Sequence, residues 1–488
     1  MEKNQKLHSV KYNFIMNFLL TASNFLFPLI TFPYVSRVLL ASGNGKVNFA
    51  ASVAYYFMMV ASLGIPTYGI RACAKVRDDR RALSKTVQEL LLINLISTFI
   101  VTIAYIICVL SVPRFSQDKI LYAINGVNIV LNMFGANWLF QALEQYDYIT
   151  LRSVVFKFIS VILMFLLVHR QADYRIYAAI TVFAAVGSNI FNFIRLQRLV
   201  DLRTIGRYDL SQHIKPIMIL FAQNLTVSVY TNLDSVMLGF MKNDEAVGLY
   251  TAAVRVKGIL ISIVSSLGSV LLPRMSYYVK HKASEKFNRL MILALNAELF
   301  MALPLVTYFV FESRDSILFL AGNGYTDAIT AMQIILFSII PIGLTGVIGI
   351  QVLTPLNRER QVLYSVMVGA ISDFILNIIM IPKGSAAGAS MATTIAEFLV
   401  LFVQLILARD LLAGVLKKLA LLRYLLTSLL ALLPMIFLAR LSVTNSFIRL
   451  AMTSIAYFGI YILVLYILKD DLLYRLLDNK ITGKLLKR

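Results

Sequence analysis

Apolar residues in this chain come in long uninterrupted runs, each about the twenty residues a helix needs to cross a hydrocarbon layer. About fourteen such runs are predicted. They begin near Tyr12, Val47, Val87, Ile120, Leu151, Ile176, Pro216, Val247, Leu290, Ala328, Gln361, Ala387, Leu419 and Phe447. The predicted fold class is therefore an all-α integral membrane protein. The run from Tyr12 to Phe32 is longer than the apolar region of a signal peptide and is read as a retained first span. Polar stretches between the runs are short, so chemistry is confined to the membrane and its two faces.

Charge gives the runs an orientation. One set of connections is basic: Arg71, Lys75, Arg77, Arg80, Arg81 and Lys85, then Arg195, Arg198, Arg203, Arg207 and Lys215, then Arg274, Lys280, Lys282, Lys286 and Arg289. The alternate connections hold one or two bases each, such as Arg114 with Lys119, or Lys383. The positive-inside bias places the basic set, with both termini, in the cytoplasm of a multi-pass plasma-membrane protein. The tail repeats leucine pairs at Leu472-Leu473 and Leu476-Leu477 and ends in Lys484, Lys487 and Arg488. It reads either as an amphipathic helix on the inner leaflet or as a solvated tail.

The pattern also repeats. Val47-Asn48-Phe49-Ala50-Ala51 is similar to Leu249-Tyr250-Thr251-Ala252-Ala253. Leu63-Gly64 followed by Pro66 and Arg71 is similar to Leu267-Gly268 followed by Pro273 and Arg274. The offset of about two hundred residues corresponds to six spans, an even number, so the copies share one orientation. Parallel repeats with a site between two lobes follow. The expected divisions are residues 1–210 (helices one to six), 211–410 (helices seven to twelve), and 411–488 (two extra helices and a basic tail).

Polar residues inside the runs mark candidate function. Asn13, Asn17, Asn24 and Thr31 fall within about 40° on the first helix. Asn224, Ser228, Thr231 and Ser235 form a similar stripe on the seventh. Such stripes line a watery cavity or bond helices together. Pro28 favours a kink in the first helix. Deep charges divide between the halves: the bases Arg37 and Lys157 in the first, and Asp234, Glu298, Asp373 and Glu397 with Arg255 and Lys257 in the second. A charge at membrane depth usually marks a pathway. Asp234 and Arg255 lie roughly 9 and 12 Å from the outer ends of consecutive helices, so they fit an ion pair as well as separate roles. Arg37 and Arg255 either face a cavity or snorkel to headgroups. Asp373 and Glu397 fall near mid-membrane on consecutive helices, as ion-coupling sites or hydrogen-bonded carboxyls. Trp138, Gln141, Glu144, Tyr146, Tyr148 and Arg152 cluster at one helix end, as interfacial anchors or as a sugar-headgroup recognition site.

Composition agrees with the pattern. The chain has 488 residues, 59% hydrophobic, with mean hydropathy +0.77 and a net charge of +21. The bases sit between apolar runs and no nucleic-acid motif accompanies them, so they suit anionic lipid rather than nucleic acid. Two cysteines, one in a basic connection (Cys73) and one in an apolar run (Cys108), imply no disulfide framework. Four scattered histidines offer no metal-ligand spacing. No catalytic constellation is present, and Gly322-Asn323-Gly324-Tyr325 lacks a phosphate-loop lysine and reads as a turn.

Several of these segments resemble the bacterial polysaccharide repeat-unit flippases, of the multidrug, oligosaccharidyl-lipid and polysaccharide exporter superfamily. They are Pro33-Tyr34-Val35-Ser36-Arg37-Val38-Leu39, Leu63-Gly64-Ile65-Pro66-Thr67-Tyr68-Gly69-Ile70-Arg71, and Asn137-Trp138-Leu139-Phe140-Gln141 with Glu144, Tyr146 and Tyr148 to Ser153. Asn232 to Gly239, Gly248-Leu249-Tyr250 and Ala252-Ala253-Val254-Arg255 belong with them. Leu40-Ala41-Ser42-Gly43-Asn44-Gly45 departs from the glycine-proline turn common in that family. The resemblance implies two pseudo-symmetric six-helix lobes plus two C-terminal helices. It implies export of undecaprenyl-diphosphate-linked oligosaccharides, without enzymatic activity, alongside polysaccharide polymerase and chain-length machinery. A polar, anionic headgroup needs bases at depth to cross hydrocarbon, and Arg37, Arg255, Asn24 and Asn224 are the expected substrate contacts. With no nucleotide site, Na+ or H+ is the expected driving ion, on Asp234, Asp373 or Glu397. A drug/cation antiporter of the same superfamily stays open as an alternative; it calls for deep acids in the first half. An integral membrane polymerase or glycosyltransferase is the other, and calls for a substantial outer loop.

Overall fold

A computed structural model describes residues 10–203, 205–438 and 445–477. Among them the regular structure is helical. Lipid offers the backbone no hydrogen-bond partners, so each apolar run closes its own ladder as a helix. Eleven helical segments are long and apolar enough to cross a membrane. Two of these, Ile15–Lys75 with 61 residues and Glu359–Leu407 with 49, exceed what one crossing needs. Each contains a break where the backbone leaves helical geometry, at Leu40 (φ 56°) and at Ser385 (φ 50°). Side-chain caps mark where the chain re-enters apolar sequence: Asp79 accepts from the N–H groups of Arg81 and Ala82, and Asn445 from those of Phe447 and Ile448.

The residues pack as two compact units, Met1–Gly248 and Leu249–Arg488. The first contains α1 (Val10–Ser62), α2 (Ile65–Lys75), α3 (Arg80–Ser111), α4 (Pro113–Ser116), α5 (Lys119–Gly135), α6 (Asn137–Ala142), α7 (Tyr146–Leu167), α8 (Tyr174–Val182), α9 (Asn189–Leu199) and α10 (Ser211–Met241). The first turn of α11 (Asp244–Val264) also lies in it. Helix α1 continues through Pro28 and Pro33, and its break comes later, at Leu40. That break lies in the segment whose sequence lacks the expected glycine-proline turn.

Helices α1 and α7 run parallel along one seam. Thr150 donates to the Met16 carbonyl (2.9 Å), Lys157 to Ser23 Oγ (2.8 Å), and Tyr34 to the Val168 carbonyl (2.8 Å). Residue numbers rise together on both sides, as they must for two helices crossing in the same direction. Trp138 does not sit at an interface as an anchor. It is 5% exposed, and its ring fills the space beside Gly69, where an added Cβ would meet it at 2.7 Å. Tyr148 keeps an amphipathic setting, with the Arg195 guanidinium 4.0 Å from its ring centre.

The connection between α9 and α10 is clamped onto α3. Gln88 Nε2 donates to the carbonyls of Asp201 (2.6 Å) and Arg203 (2.8 Å), and Tyr208 donates to Gln88 Oε1 (2.8 Å). Buried His213 joins Glu89 through Nε2 (2.9 Å) and Tyr68 through Nδ1 (2.9 Å). At Gly64 an added Cβ would lie 2.2 Å from the Ile217 carbonyl oxygen, so only glycine permits this approach.

The second unit is built on α13 (Ser284–Phe311), packed on two sides. One side meets α12 (Ser266–Lys280), α16 (Ile339–Thr345), the π-helical turn Gly346–Leu353 and α17 (Glu359–Leu407) through Met291, Leu295, Val347 and Ile348. The other meets α19 (Leu421–Leu430) and α21 (Ser446–Ile467) through Leu299, Leu303 and a set of buried tyrosines. Tyr461 donates to the Phe300 carbonyl (2.9 Å), Tyr457 to Ser428 (3.1 Å) and Tyr308 to Leu450 (2.8 Å). Each phenol thus buries its ring and satisfies its hydroxyl. Ion pairs hold α19 and α21 near their ends, Arg423 with Asp470 (3.1 Å) and Arg449 with Asp315 (3.2 Å). Outside the spans, a hydrogen bond from the Arg358 guanidinium holds the Asp410 carboxyl below its usual range. The leucine pairs at 472–473 and 476–477 form a short helix, α22 (Asp471–Leu477). Lys484, Lys487 and Arg488 lie outside the described residues.

Cys73 sits in a basic segment yet is fully buried on α2. Its thiol therefore cannot report sidedness, whereas Arg71 on the same helix is exposed. With Arg71→Cys in a cysteine-free background, a membrane-permeant maleimide should label the protein in intact cells and an impermeant one only after lysis. Labelling of intact cells by the impermeant reagent would reverse the predicted orientation.

Candidate functional site

Helix α1 has two exposed faces of opposite character. Ile15, Phe18, Leu19, Leu26, Leu29 and Ile30 are exposed and apolar. Asn17, Thr21 and Asn24 are exposed and polar. At 100° per residue the polar group spans about 60°, and its centre lies roughly 150° from that of the apolar group. The apolar face suits hydrocarbon. The polar face suits water or a polar ligand, because an amide exposed to lipid would lose its hydrogen bonds with nothing in return. The same helix therefore borders two media.

At the edge of the polar face sits Lys157, in the middle of α7 and half-buried. It donates to Ser23 Oγ and, through a short bond, to Asn24 Oδ1. Both partners are neutral. Of the expected substrate contacts, Asn24 is thus brought onto a deep base that sequence reasoning noted without assigning it a site. Asn13, lower on the stripe, is buried and donates to Glu144 Oε2 (3.2 Å), while Arg77 donates to Oε1 of the same carboxylate (2.8 Å). It belongs to a structural network at the basic end.

The other candidates are placed as follows. Arg37 is exposed and donates from Nη1 to the Pro33 carbonyl of its own helix. Arg255 is exposed on α11, and Asn224 is half-buried on α10. Ser228 is buried beneath Tyr55 and Tyr56, which reach its Oγ (3.3 Å) and carbonyl (3.2 Å). The Thr231 side chain lies outside the described residues. Asp234 is 4% exposed near the end of α10.

In the second unit, Asp373 and Glu397 lie on the two arms of α17, each twelve residues from the break at Ser385. Equal spacing puts them at one depth, about 18 Å from the break. The arms pack closely: an added Cβ on Gly388 would lie 2.1 Å from the Met380 carbonyl oxygen. Both acids are buried, and Asn377 donates to Asp373 Oδ2 (3.2 Å) one helical turn away. Thr393, on the other arm, bonds Tyr250 Oη (3.2 Å). Glu298 is also buried, with its Oε2 lodged against Gly343, where a Cβ would lie 2.9 Å away. Among the described residues no group of three or more His, Cys, Asp or Glu side chains is arranged to hold a metal ion.

At the predicted outer end of the first unit the helices close on one another. An added Cβ on Gly45 would lie 1.6 Å from the Asp244 carbonyl oxygen, and one on Gly248 2.0 Å from that of Ala41. Gly239 accommodates the Phe49 ring, 2.2 Å from its Cβ position. Arg114 pairs with Asp244 at 2.6 Å, and Asp118 receives Arg175 (3.0 Å) and Tyr174 (2.6 Å). A cavity of about 100 Å³ lies among Lys46, Arg114, Asp118, Tyr122, Tyr174 and Asp244. The start of α11, from Asp244 to Gly248, thus packs against α1 just beyond its break at Leu40.

The long apolar helices and the two-faced α1 define a multi-pass, all-helical membrane protein with an exposed polar face on its first helix. Residues 10–279 match the Polysacc_synt family, described as polysaccharide biosynthesis protein, and the chain belongs to that family. It is 23% identical over 413 residues to a putative O-antigen transporter of Escherichia coli K12, covering 82% of this chain and 97% of that protein. In fold it is similar to the lipid II flippase MurJ in an inward closed conformation, with TM-score 0.71, 16% identity and coverage of 93% and 99%. An inward-facing multidrug resistance transporter of the MATE family gives TM-score 0.59 at 11% identity, covering 80% of this chain and 98% of that one.

Arg114 and Asp244 retain 28% and 18% side-chain exposure, between a surface and a buried pair. A double-mutant cycle with Arg114→Gln and Asp244→Asn, read by thermal unfolding in detergent, should give a coupling of about 1 kcal/mol. A coupling indistinguishable from zero would make the contact incidental.

Proposed function

We propose that the protein is a flippase for undecaprenyl-diphosphate-linked oligosaccharide repeat units. It moves them from the inner to the outer leaflet of the plasma membrane for capsular, exo- or O-antigen polysaccharide synthesis. The observation that carries this reading is the polar exposed face of α1 opposite its lipid-fitted face. A passage with one wall toward lipid suits a cargo whose head is polar and whose tail is hydrocarbon. Membership of the polysaccharide biosynthesis family and the O-antigen transporter relative support the cargo class. The two over-long segments Ile15–Lys75 and Glu359–Leu407 suit more than eleven passes, loop charge suits cytoplasmic termini, and the fold's likeness to a flippase in an inward closed conformation supports alternating access as the mechanism. The contacts at Gly45 and Gly248 supply a closed outer end for one of the two states.

Arg37, Arg255, Asn24 and Asn224 are the proposed contacts to the headgroup. The diphosphate is held by charge-assisted, partly bidentate bonds from the arginines. Four acids of the first unit are tied up by bases and so disfavour a cation-antiporter reading, while Asp234, buried in the same unit on α10, is assigned to ion coupling. Glu89, Glu144, Asp118 and Asp244 are each engaged by bases, at 2.9, 2.8, 3.0 and 2.6 Å, toward the ends of its helices. Deletion in the native host should leave lipid-linked repeat units on the cytoplasmic leaflet. In the complemented strain, Arg37→Gln and Arg255→Gln should lose export, each costing about 2–5 kcal/mol of binding by analogy with buried charge pairs. Arg37→Lys should restore part of it. Near-normal export in all three variants at matched membrane levels would remove these arginines from the site.

Coupling to Na+ or H+ is assigned to Asp234, Asp373 or Glu397, the buried carboxylates of α10 and α17. Asp234→Asn, Asp373→Asn and Glu397→Gln should include at least one variant that is made normally but no longer responds to the ion gradient in proteoliposomes. Full gradient-driven transport by all three would refute the assignment.

A further inference from the structure

We infer that Lys157, with Ser23 and Asn24, is an anion subsite for the phosphate groups of a lipid headgroup. The inference rests on the flippase reading for its ligand but on separate geometry. Lys157 lies mid-span, where a cation far from water is costly unless neutralised. Its two contacts, Ser23 Oγ and Asn24 Oδ1, donate no negative charge. Among the described residues no carboxylate lies within ion-pair distance of its ammonium, unlike Arg77, Arg114 and Arg175, which all have one. The site is thus held in place yet left with a net positive charge.

Access comes from the neighbouring helix face. Asn24 is exposed on the polar side of α1, in line with Asn17 and Thr21, so an anion reaching it arrives next to the Lys157 ammonium. An ammonium has three donors. Two are used by α1, and the third is available to a phosphate oxygen. The Asn24 side-chain amide points its oxygen at Lys157, which leaves its N–H groups for a second phosphate oxygen. Ser23, buried, acts by positioning the ammonium rather than by touching the ligand. Seam contacts at Thr150 and Tyr34 keep α7 in register on either side, so the lysine cannot slide away from this position.

A purely structural lysine would give the opposite response to one substitution. Asn24→Asp places a carboxylate on Lys157 with almost no change of shape. It should stabilise a structural pair, but it should also neutralise the site and exclude an incoming anion. The test is binding of farnesyl diphosphate to the purified full-length protein in nanodiscs, with farnesol, inorganic pyrophosphate and phosphatidylglycerol as competitors. Wild type and Lys157→Arg should bind within a few-fold of each other, while Lys157→Gln and Asn24→Asp should weaken binding by about tenfold or more. Asn24→Asp should at the same time raise the unfolding temperature, which separates lost binding from lost fold. Competition by pyrophosphate as strong as by farnesyl diphosphate would assign the subsite to a free anion, and competition by phosphatidylglycerol to anionic lipid in general. Undiminished binding by Lys157→Gln and Asn24→Asp, or no binding by wild type, would overturn the inference. Lys157-dependent binding without lipid-linked intermediates in the deletion host would leave this subsite standing and remove the flippase reading instead.

Discussion

Charge is expensive in a hydrocarbon layer, and most of this molecule is arranged around that cost. Toward the helix ends, where water is near, bases and acids meet as pairs: Arg77 with Glu144, Arg114 with Asp244, Arg423 with Asp470, Arg449 with Asp315. These tie connections to helices and need no ligand to be stable. In the interior of the first unit the rule changes. Lys157 is steadied by a hydroxyl and an amide, which fix its position without cancelling its charge. A protein built only for stability would replace such a group with an apolar side chain at little cost.

The rest of the first unit serves to hold that seam and the end that closes over it. Glycines do so where helices must nearly touch. At Gly45, Gly64 and Gly248 a methyl group would collide with backbone oxygen, so these contacts need a residue without a side chain. The Glu89–His213–Tyr68 network and the Gln88 contacts seat the connection before α10 on α3, so α10 starts from a fixed point. The second unit solves a different problem. Its α13 is covered on two sides, and the tyrosines of α19 and α21 anchor the C-terminal helices through ring burial and satisfied hydroxyls.

Helix existence, orientation bias and the candidate polar stripe on α1 were legible in the sequence. All three follow from local quantities, the length of an apolar run, the sign of the loops and the 100° step of a helix. The shared depth of Asp373 and Glu397 was legible too, since it needs only residue counts from a turn. What local pattern could not supply was which neighbour a residue meets. Trp138 and Cys73 look like interfacial and loop residues by composition, but α2 and α6 fold back and bury them. Lys157 looked like one base among several until α7 was laid beside α1.

The sequence by itself determined that this chain is a helical membrane protein with few charges at depth, because hydrophobic transfer and backbone hydrogen bonding act residue by residue along the chain. Only the tertiary structure decided what those few charges do. Electrostatic energy depends on distance between side chains that are far apart in sequence: Asn24 and Lys157 are separated by 133 positions and Arg114 and Asp244 by 130. Packing alone brings an amide to the first of these bases and a carboxylate to the second.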